Sequence, residues 1–305
     1  MKRIISKLKP YLRWVILGTT LFFLAATFKQ HWQEVASVRI NLQGGVLLGL
    51  AFTATLLAQT WAGWVWGWIL QDFNQPVDMT WATRTFLTTN IAKYLPGNVW
   101  HFYQRIVATQ DTGIAMEAAT LSVILEPLLM MASALPIAML SVEAGGRELQ
   151  ILSLVIVAVG IHPRIINPVA QYLGRVKAKT FATEKNRVRC HIRHYPLRPW
   201  LGELGFVTCR GIGFLMILWA LGLFDPQHIL LPLGAFSLAW LFGLIVPGAP
   251  GGMGVFEATA LGLLEPHFPG QTGTLLIALA LYRVTSILAE TGGAGLAWLD
   301  KYWRA

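Results

Sequence analysis

Long apolar runs separated by short polar stretches dominate the chain. They fall at residues 12–28, 46–70, 115–141, 149–161, 200–224, 229–246 and 272–298. A helix needs about 20 apolar residues to cross the hydrocarbon core of a bilayer, and most of these runs reach that length. Two further apolar runs, at 82–94 and 253–264, are 13 and 12 residues long. With a rise of about 1.5 Å per residue they cover roughly 20 Å of a core about 30 Å thick. Each adjoins a Pro-Gly cluster, so both are predicted to be half-helices or re-entrant segments. The pattern as a whole predicts an all-α polytopic membrane protein of about seven or eight transmembrane helices, with two short re-entrant or broken helices among them.

Composition supports the same reading. Of the 305 residues 55% are hydrophobic and 13% charged, against about 25% charged in soluble domains. So little polar surface cannot cover a water-soluble fold of this size, and lipid must solvate much of the exterior. The net charge of +9 does not point to nucleic acid. The basic residues cluster at the N-terminus and in one central stretch, both flanked by apolar runs, and no recognition motif accompanies them. Cys190 and Cys209 form no CxxC or Cys/His metal spacing, and His191 and His194 beside Cys190 read as an ordinary solvated loop. No metal or cofactor is expected. Residues 1–28 have the basic-then-apolar order of a signal peptide without a convincing small-x-small cleavage site, and are expected to be a retained first helix.

Lys and Arg set the orientation. Lys2, Arg3, Lys7, Lys9 and Arg13 place the N-terminus in the cytosol. Residues 163–199 carry nine basic residues against one acid, Glu184, so that stretch is cytosolic too. It is expected to form a loop plus an amphipathic helix on the anionic inner leaflet. The organisation is then a single transmembrane domain, 1–305, with a first half at 1–162, the basic loop at 163–199 and a second half at 200–305. With both anchors cytosolic, the stretch around residues 82–103 must cross twice or not at all, and re-entry is the economical answer.

Two constellations carry candidate chemistry. In the first, Lys93-Tyr94-Leu95-Pro96-Gly97-Asn98 leads to Arg105. Pro96 removes a backbone donor and Gly97 permits a left-handed turn, so the helix breaks there. A new helix near Asn98 would offer free amides at membrane depth, an anion site with Lys93 and Arg105 beside it. A cytosolic turn with snorkelling basic residues fits the spacing equally well. The second holds Pro247, Gly248, Pro250, Gly251, Gly252 and Gly254, with Glu257 directly after. Irregular backbone this dense cannot face lipid, so it must be buried in protein or line a wet cavity; tight helix packing is the alternative.

Five charges lie inside apolar runs: Glu126, Arg210, Glu257, Arg283 and Glu290. Each costs about 2.5–3.5 kcal/mol at the centre of a spanning helix, so they need partners or water in the bundle interior. Arg283 and Glu290 lie seven positions apart on one helix face, too far to pair, and each should meet another helix. The alternative to a binding role is a set of structural ion pairs. The two Pro-Gly regions occupy comparable positions in the two halves, which suggests an internal inverted repeat of the kind carriers use.

The residues Lys93-Tyr94-Leu95-Pro96-Gly97 with Arg105, followed by Pro247-Gly248 and Pro250-Gly251-Gly252-Met253-Gly254 with Glu257, resemble the lysylphosphatidylglycerol synthase transmembrane (flippase-like) family. The resemblance runs over nearly the whole chain. Bifunctional members join this membrane part to a soluble aminoacyl-transferase, and there the membrane part moves the modified lipid between leaflets. The present chain has the look of a stand-alone membrane part, so lipid aminoacylation is not expected. The first motif departs from the commoner form, which has a second glycine and often an acid after Pro-Gly; here Asn98-Val99-Trp100-His101 follows.

The resemblance implies a bacterial cytoplasmic (inner) membrane location and a lipid flippase or lipid carrier, not an enzyme. Its substrate would be a phospholipid, a glycolipid or a polyprenyl-phosphate sugar. Substrate-binding roles then fall to Lys93, Tyr94, Asn98, Arg105, Arg210 and Arg283. Charge balance or proton coupling falls to Glu126, Glu257 and Glu290. Expected partners are membrane lipids and lipid-modifying or glycan-assembly enzymes. Two other readings stay open: an intramembrane transferase using its acids as general acid and base, and a non-transporting accessory subunit.

Overall fold

The structure, a computed structural model, describes residues 26–27, 29–95, 99–139, 146–178, 192, 194–246 and 250–303. Regular structure among the described residues is entirely helical. A short helix, α1 (Trp32–Ser37), leads to the long α2 (Leu42–Asp72). Two short helices follow, α3 (Met79–Asn90) and α4 (Trp100–Asp111), then α5 (Met116–Ala138), α6 (Gly146–Gly160) and α7 (Pro163–Ala178). The second half comprises α8 (Leu197–Ala220), α9 (Leu230–Ile245), α10 (Val255–Leu264) and α11 (Thr272–Trp303). Local chemistry fixes the early starts. The Asn41 side chain accepts the Gly44 N–H at 2.7 Å and Asp78 accepts that of Trp81 at 2.7 Å, satisfying amides that lack a carbonyl in the first turn.

Four helices are long and apolar enough to cross a membrane: α2, α5, α8 and α11 over Thr272–Asp300. A fifth span arises if α6 and α7, bent by 68° at Pro163, are counted together. This is fewer than the seven or eight that the apolar runs predict, for two reasons. The run at 12–28 lies almost wholly outside the described residues. The run at 229–246 yields only the 16-residue α9, because the proline-glycine loop ends it. The two runs expected to be short, at 82–94 and 253–264, are cut by their breaks into α3 and α10 of 12 and 10 residues.

An exposed apolar face lies on α6, where Ile151, Leu152, Leu154, Val155, Ile156 and Val159 are each 48–59% exposed. Apolar faces this continuous are rare on soluble monomers. Several helices of membrane-spanning length and apolarity, together with this face, fit a membrane protein. The amphipathic helix predicted in the basic stretch is α7. It packs on α5 through buried Ile166, and Asn167 pairs with both backbone groups of Ile192 at 2.9 Å. Cys190 and His191 lie outside the described residues.

The core is built on α2 and α8, which pack along each other with α3, α5, α9 and α11 around them. Small residues permit the close approach. A Cβ on Gly202 would fall 2.6 Å from the Val65 side chain, and one on Gly63 would fall 2.8 Å from the Thr83 backbone. The Trp61 indole donates to the Gly202 carbonyl at 2.8 Å across the same seam. In the second half, Phe214, Phe236, Phe256 and Tyr282 interlock with ring centroids 5.1–5.7 Å apart. That cluster joins α8, α9, α10 and α11 beneath the region where the two helix breaks meet.

Candidate functional site

The two breaks face each other. Pro96, Gly97, Asn98, Pro247 and Gly248 lie outside the described residues, but the chain on either side of each gap is placed. On the first, α3 passes through a 3-10 turn (Ile91–Tyr94), and α4 folds back against α3. On the second, α9 gives way to a tight turn (Pro250–Gly252) and α10 folds back against α9. Gly251, Gly252 and Gly254 have φ of +57°, +73° and +83°, a region where an L side chain costs about 1–2 kcal/mol. Gly251 is glycine for a second reason: a Cβ there would lie 2.9 Å from the Tyr94 ring. Tyr94 of the first break thus seats on the second.

Charged side chains from later helices hold this meeting point. Arg283 of α11 donates through Nε to Glu257 Oε1 at 2.6 Å and through a terminal nitrogen to the Gly251 carbonyl at 2.9 Å. The other oxygen of Glu257 accepts the Gly254 N–H at 2.7 Å. A carboxylate in the first turn of α10 is also well placed against the positive end of the helix dipole. One turn arrangement therefore satisfies a guanidinium, a carboxylate and two backbone groups.

Seven residues further along α11, Glu290 serves the other break. Its Oε1 accepts from Lys93 Nζ at 2.8 Å and from Gln59 of α2 at 2.9 Å, and Asn90 donates to Gln59 at 3.1 Å. Arg210 of α8 approaches the same oxygen at 3.9 Å. Its guanidinium lies 5.1 Å from the Trp240 ring and 5.1 Å from the Tyr282 ring, and donates to Ser286 at 3.1 Å. Arg283 and Glu290 do meet partners on other elements, as their spacing on one face requires.

A third centre joins α4 to α5. Arg105, 1% exposed, pairs with Glu126 and lies over the rings of Phe86 and Trp66 at 4.2 and 5.2 Å. Glu203 of α8 completes it. Glu203 is fully buried, Glu126 and Arg105 are the charges that act on it, and neither of its oxygens has a hydrogen-bond partner among the described residues. Sequence reasoning missed this acid. It stands six positions after the start of α8, close to the basic loop, where a carboxylate reads as interfacial. The signal that could have found it is its helical spacing: Phe206 and Arg210, three and seven positions on, share its buried face.

Between these centres lies a cavity of about 680 Å³. Lys93, Arg105 and Arg283 line it, with Glu126 as the one acid on the wall among the described residues; Gln59, Asn90, His101 and Tyr282 add further polar groups. Glu257 and Glu290 grip Arg283 and Lys93 from behind that surface. The rest of the wall is apolar, including Phe86, Phe206, Trp240 and Phe256. Val99 and Ile245 line the cavity and are 41% and 53% exposed, so it opens between the start of α4 and the end of α9, past apolar side chains. No family model and no curated protein matches this chain.

The geometry separates the predicted site residues into two groups. Lys93, Arg105, Glu126, Arg283, Gly251 and Gly252 border the cavity. Tyr94, Arg210, Glu257 and Glu290 do not: they stand one layer back and hold those that do. Arg210, expected among the substrate-binding residues, does not border the cavity. Its side chain is 3% exposed and packed between two aromatic rings, which keeps it out of reach of the cavity. No group of three His, Cys, Asp or Glu among the described residues could hold a metal ion.

Proposed function

We propose that the protein is a lipid flippase or lipid carrier that moves a phosphate-bearing lipid between leaflets. The observation that carries this reading is the asymmetry of the cavity wall. Three cations face the cavity against one carboxylate, while two of the balancing acids sit behind. An anionic headgroup therefore meets positive charge that is already desolvated and oriented, where a charge-assisted hydrogen bond is strongest. A volume of about 680 Å³ lies within the range of roughly 300–1,000 Å³ usual for small-molecule sites. It suits a phosphate-bearing headgroup, and the apolar mouth at Val99 and Ile245 suits the first carbons of its chains.

The meeting of the two breaks supports an inverted-repeat architecture. Each half contributes a hairpin of two short helices around a Pro-Gly loop, followed by a longer helix that carries acids. On that reading α3–α4 and α9–α10 are re-entrant or broken segments that complete a count of seven or eight crossings, with the N-terminus cytosolic in a bacterial inner membrane. It also agrees with the resemblance of the two motifs to the lysylphosphatidylglycerol synthase transmembrane family. The sequence shows no nucleotide-binding motif, so the drive is an ion gradient or downhill exchange.

The test is transbilayer movement in proteoliposomes of labelled phospholipids and a labelled polyprenyl-phosphate, with empty liposomes and Arg105→Ala as controls. Movement by the wild-type protein that falls at least ~10-fold in Arg105→Ala is expected, the scale of one lost charge-assisted contact. Folded protein that moves none of these lipids, with a pH gradient of either sign imposed, would sink the reading.

A further inference from the structure

We infer that Lys93 is a releasable cation that leaves Glu290 to contact the anionic headgroup, and that Arg210 is the positioning residue that holds Glu290 when it does. The inference rests on the proposed site but adds a division of labour within it.

One carboxylate stands between two cations here, and the three are not equivalent. Lys93 is 16% exposed at the cavity wall, whereas Arg210 and Glu290 are 3% and 2% exposed. Lys93 Nζ and Gln59 both donate to Oε1, and Oε2 has no hydrogen bond among the described residues. On Arg210, Nε and the terminal nitrogen nearest Glu290 also lack hydrogen bonds among the described residues. An idle donor 3.9 Å from Glu290 therefore faces a carboxylate with an idle oxygen. A shift of about 1 Å brings it to the usual separation of about 2.9 Å.

Charge counting gives the direction. Lys93, Arg210 and Glu290 sum to one surplus positive charge in the dry interior. An anion at Lys93 cancels it and leaves two satisfied pairs, Lys93 with the anion and Arg210 with Glu290. Without Arg210, the same departure leaves the buried Glu290 carboxylate with Gln59 but no cation, a state that is costly for a buried charge. Trp240 and Tyr282 fix the guanidinium plane, and Ser286 anchors its other end. Arg210 can thus slide toward Glu290 but cannot follow Lys93 into the cavity. Lys93, with a flexible stem on a single 3-10 turn, can move.

The first measurement is independent of any lipid: thermal melting in detergent of Lys93→Met, Arg210→Met and the double variant. Each single variant leaves Glu290 one cation and is expected to lose a few degrees. The double variant strands the carboxylate and is expected to lose more than the two single losses together, by about 10 °C. Adding Glu290→Gln to the double variant is expected to restore most of that loss. Additive losses, or a triple variant that melts or misfolds like the double, would overturn the redundancy.

The second measurement is calorimetric binding of short-chain phosphatidylglycerol, with inorganic phosphate as the headgroup-free arm. Lys93→Met is expected to weaken lipid binding at least ~10-fold. Arg210→Met is expected to weaken it several-fold although it borders no part of the cavity, and Arg210→Lys to recover most of that loss. Phosphate binding as tight as lipid binding would assign the site to the free anion. If the melting pattern holds and wild type binds neither probe, the proposed function fails and the role given to Lys93 fails with it. If wild type binds and Arg210→Met binds equally well, the positioning role of Arg210 fails alone.

Discussion

The two helix breaks solve the same problem by opposite means. The second is tied down by hydrogen bonds: Arg283 reaches both the Gly251 carbonyl and Glu257, and Glu257 returns to the Gly254 amide. The first is held by side chains: Lys93 on Glu290, Asn90 through Gln59 to the same carboxylate, and the Tyr94 ring seated on Gly251. A break clamped through its backbone is a fixed wall, while a break held through side chains, one of them a long lysine at the cavity wall, can shift at smaller cost. In a site that must take and release a ligand, the first break is then the moving side and the second the frame.

The largest effect should come from breaking the frame. Arg283→Met removes the cation paired with Glu257 and the donor to Gly251 together, leaving the buried carboxylate with only the Gly254 amide and the Gly251 carbonyl without its side-chain donor. The expected cost is about 3–5 kcal/mol, the scale for removing one member of a buried pair, read as the loss of melting temperature in detergent. Lys93→Met should cost less than half as much, because Arg210 remains within reach of Glu290. Equal losses for the two variants would break the contrast between a fixed and a movable side.

Gly251→Ala should follow in size. At φ of +57° the new Cβ carries a strain of about 1–2 kcal/mol, and it also presses on Tyr94 at the point where the breaks meet. The double variant Gly251→Ala with Tyr94→Ala separates the two parts, since only the steric part is relieved by removing the ring. Should the double variant melt no lower than Tyr94→Ala alone, the left-handed backbone carries no strain. The contact alone would then explain the glycine.

These contrasts also show what could be read from the chain. The helix interruptions between Tyr94 and Trp100 and around Pro250-Gly254 are legible because proline and glycine act locally, through a missing donor and an accessible φ. The shared face of Arg283 and Glu290 is legible because helical period is local too. The pairings were not legible. Arg283 meets Glu257 across 26 positions and Lys93 meets Glu290 across 197, and each depends on how helices cross, which the side-chain pattern of one helix does not encode. The same limit hid the layering: Lys93, Arg210 and Arg283 are alike as intramembrane cations in sequence, yet two border the cavity and one stands behind it. The described residues show four or five spans by length and apolarity, in part for a local reason, since 16 apolar residues in α9 resemble a full crossing until the break that ends them is placed.

The smallest expected effect concerns the acid that the apolar pattern concealed, and it sharpens the comparison from the movable side. Arg105 follows the first break on α4 and has two buried carboxylates near it, Glu126 in direct contact and Glu203 without a hydrogen bond on either oxygen among the described residues. Glu203→Gln keeps the volume, removes no hydrogen bond and relieves the proximity of two acids. Its stability is therefore expected to stay within about 1 kcal/mol of wild type, or to rise. Glu126→Gln takes the carboxylate from the guanidinium it touches and should cost several times more. Melting of the two variants side by side decides the matter. If Glu203→Gln is the more damaging, Glu203 is the true counter-ion of Arg105, and Glu126, which borders the cavity, is the carboxylate free to respond to what enters it.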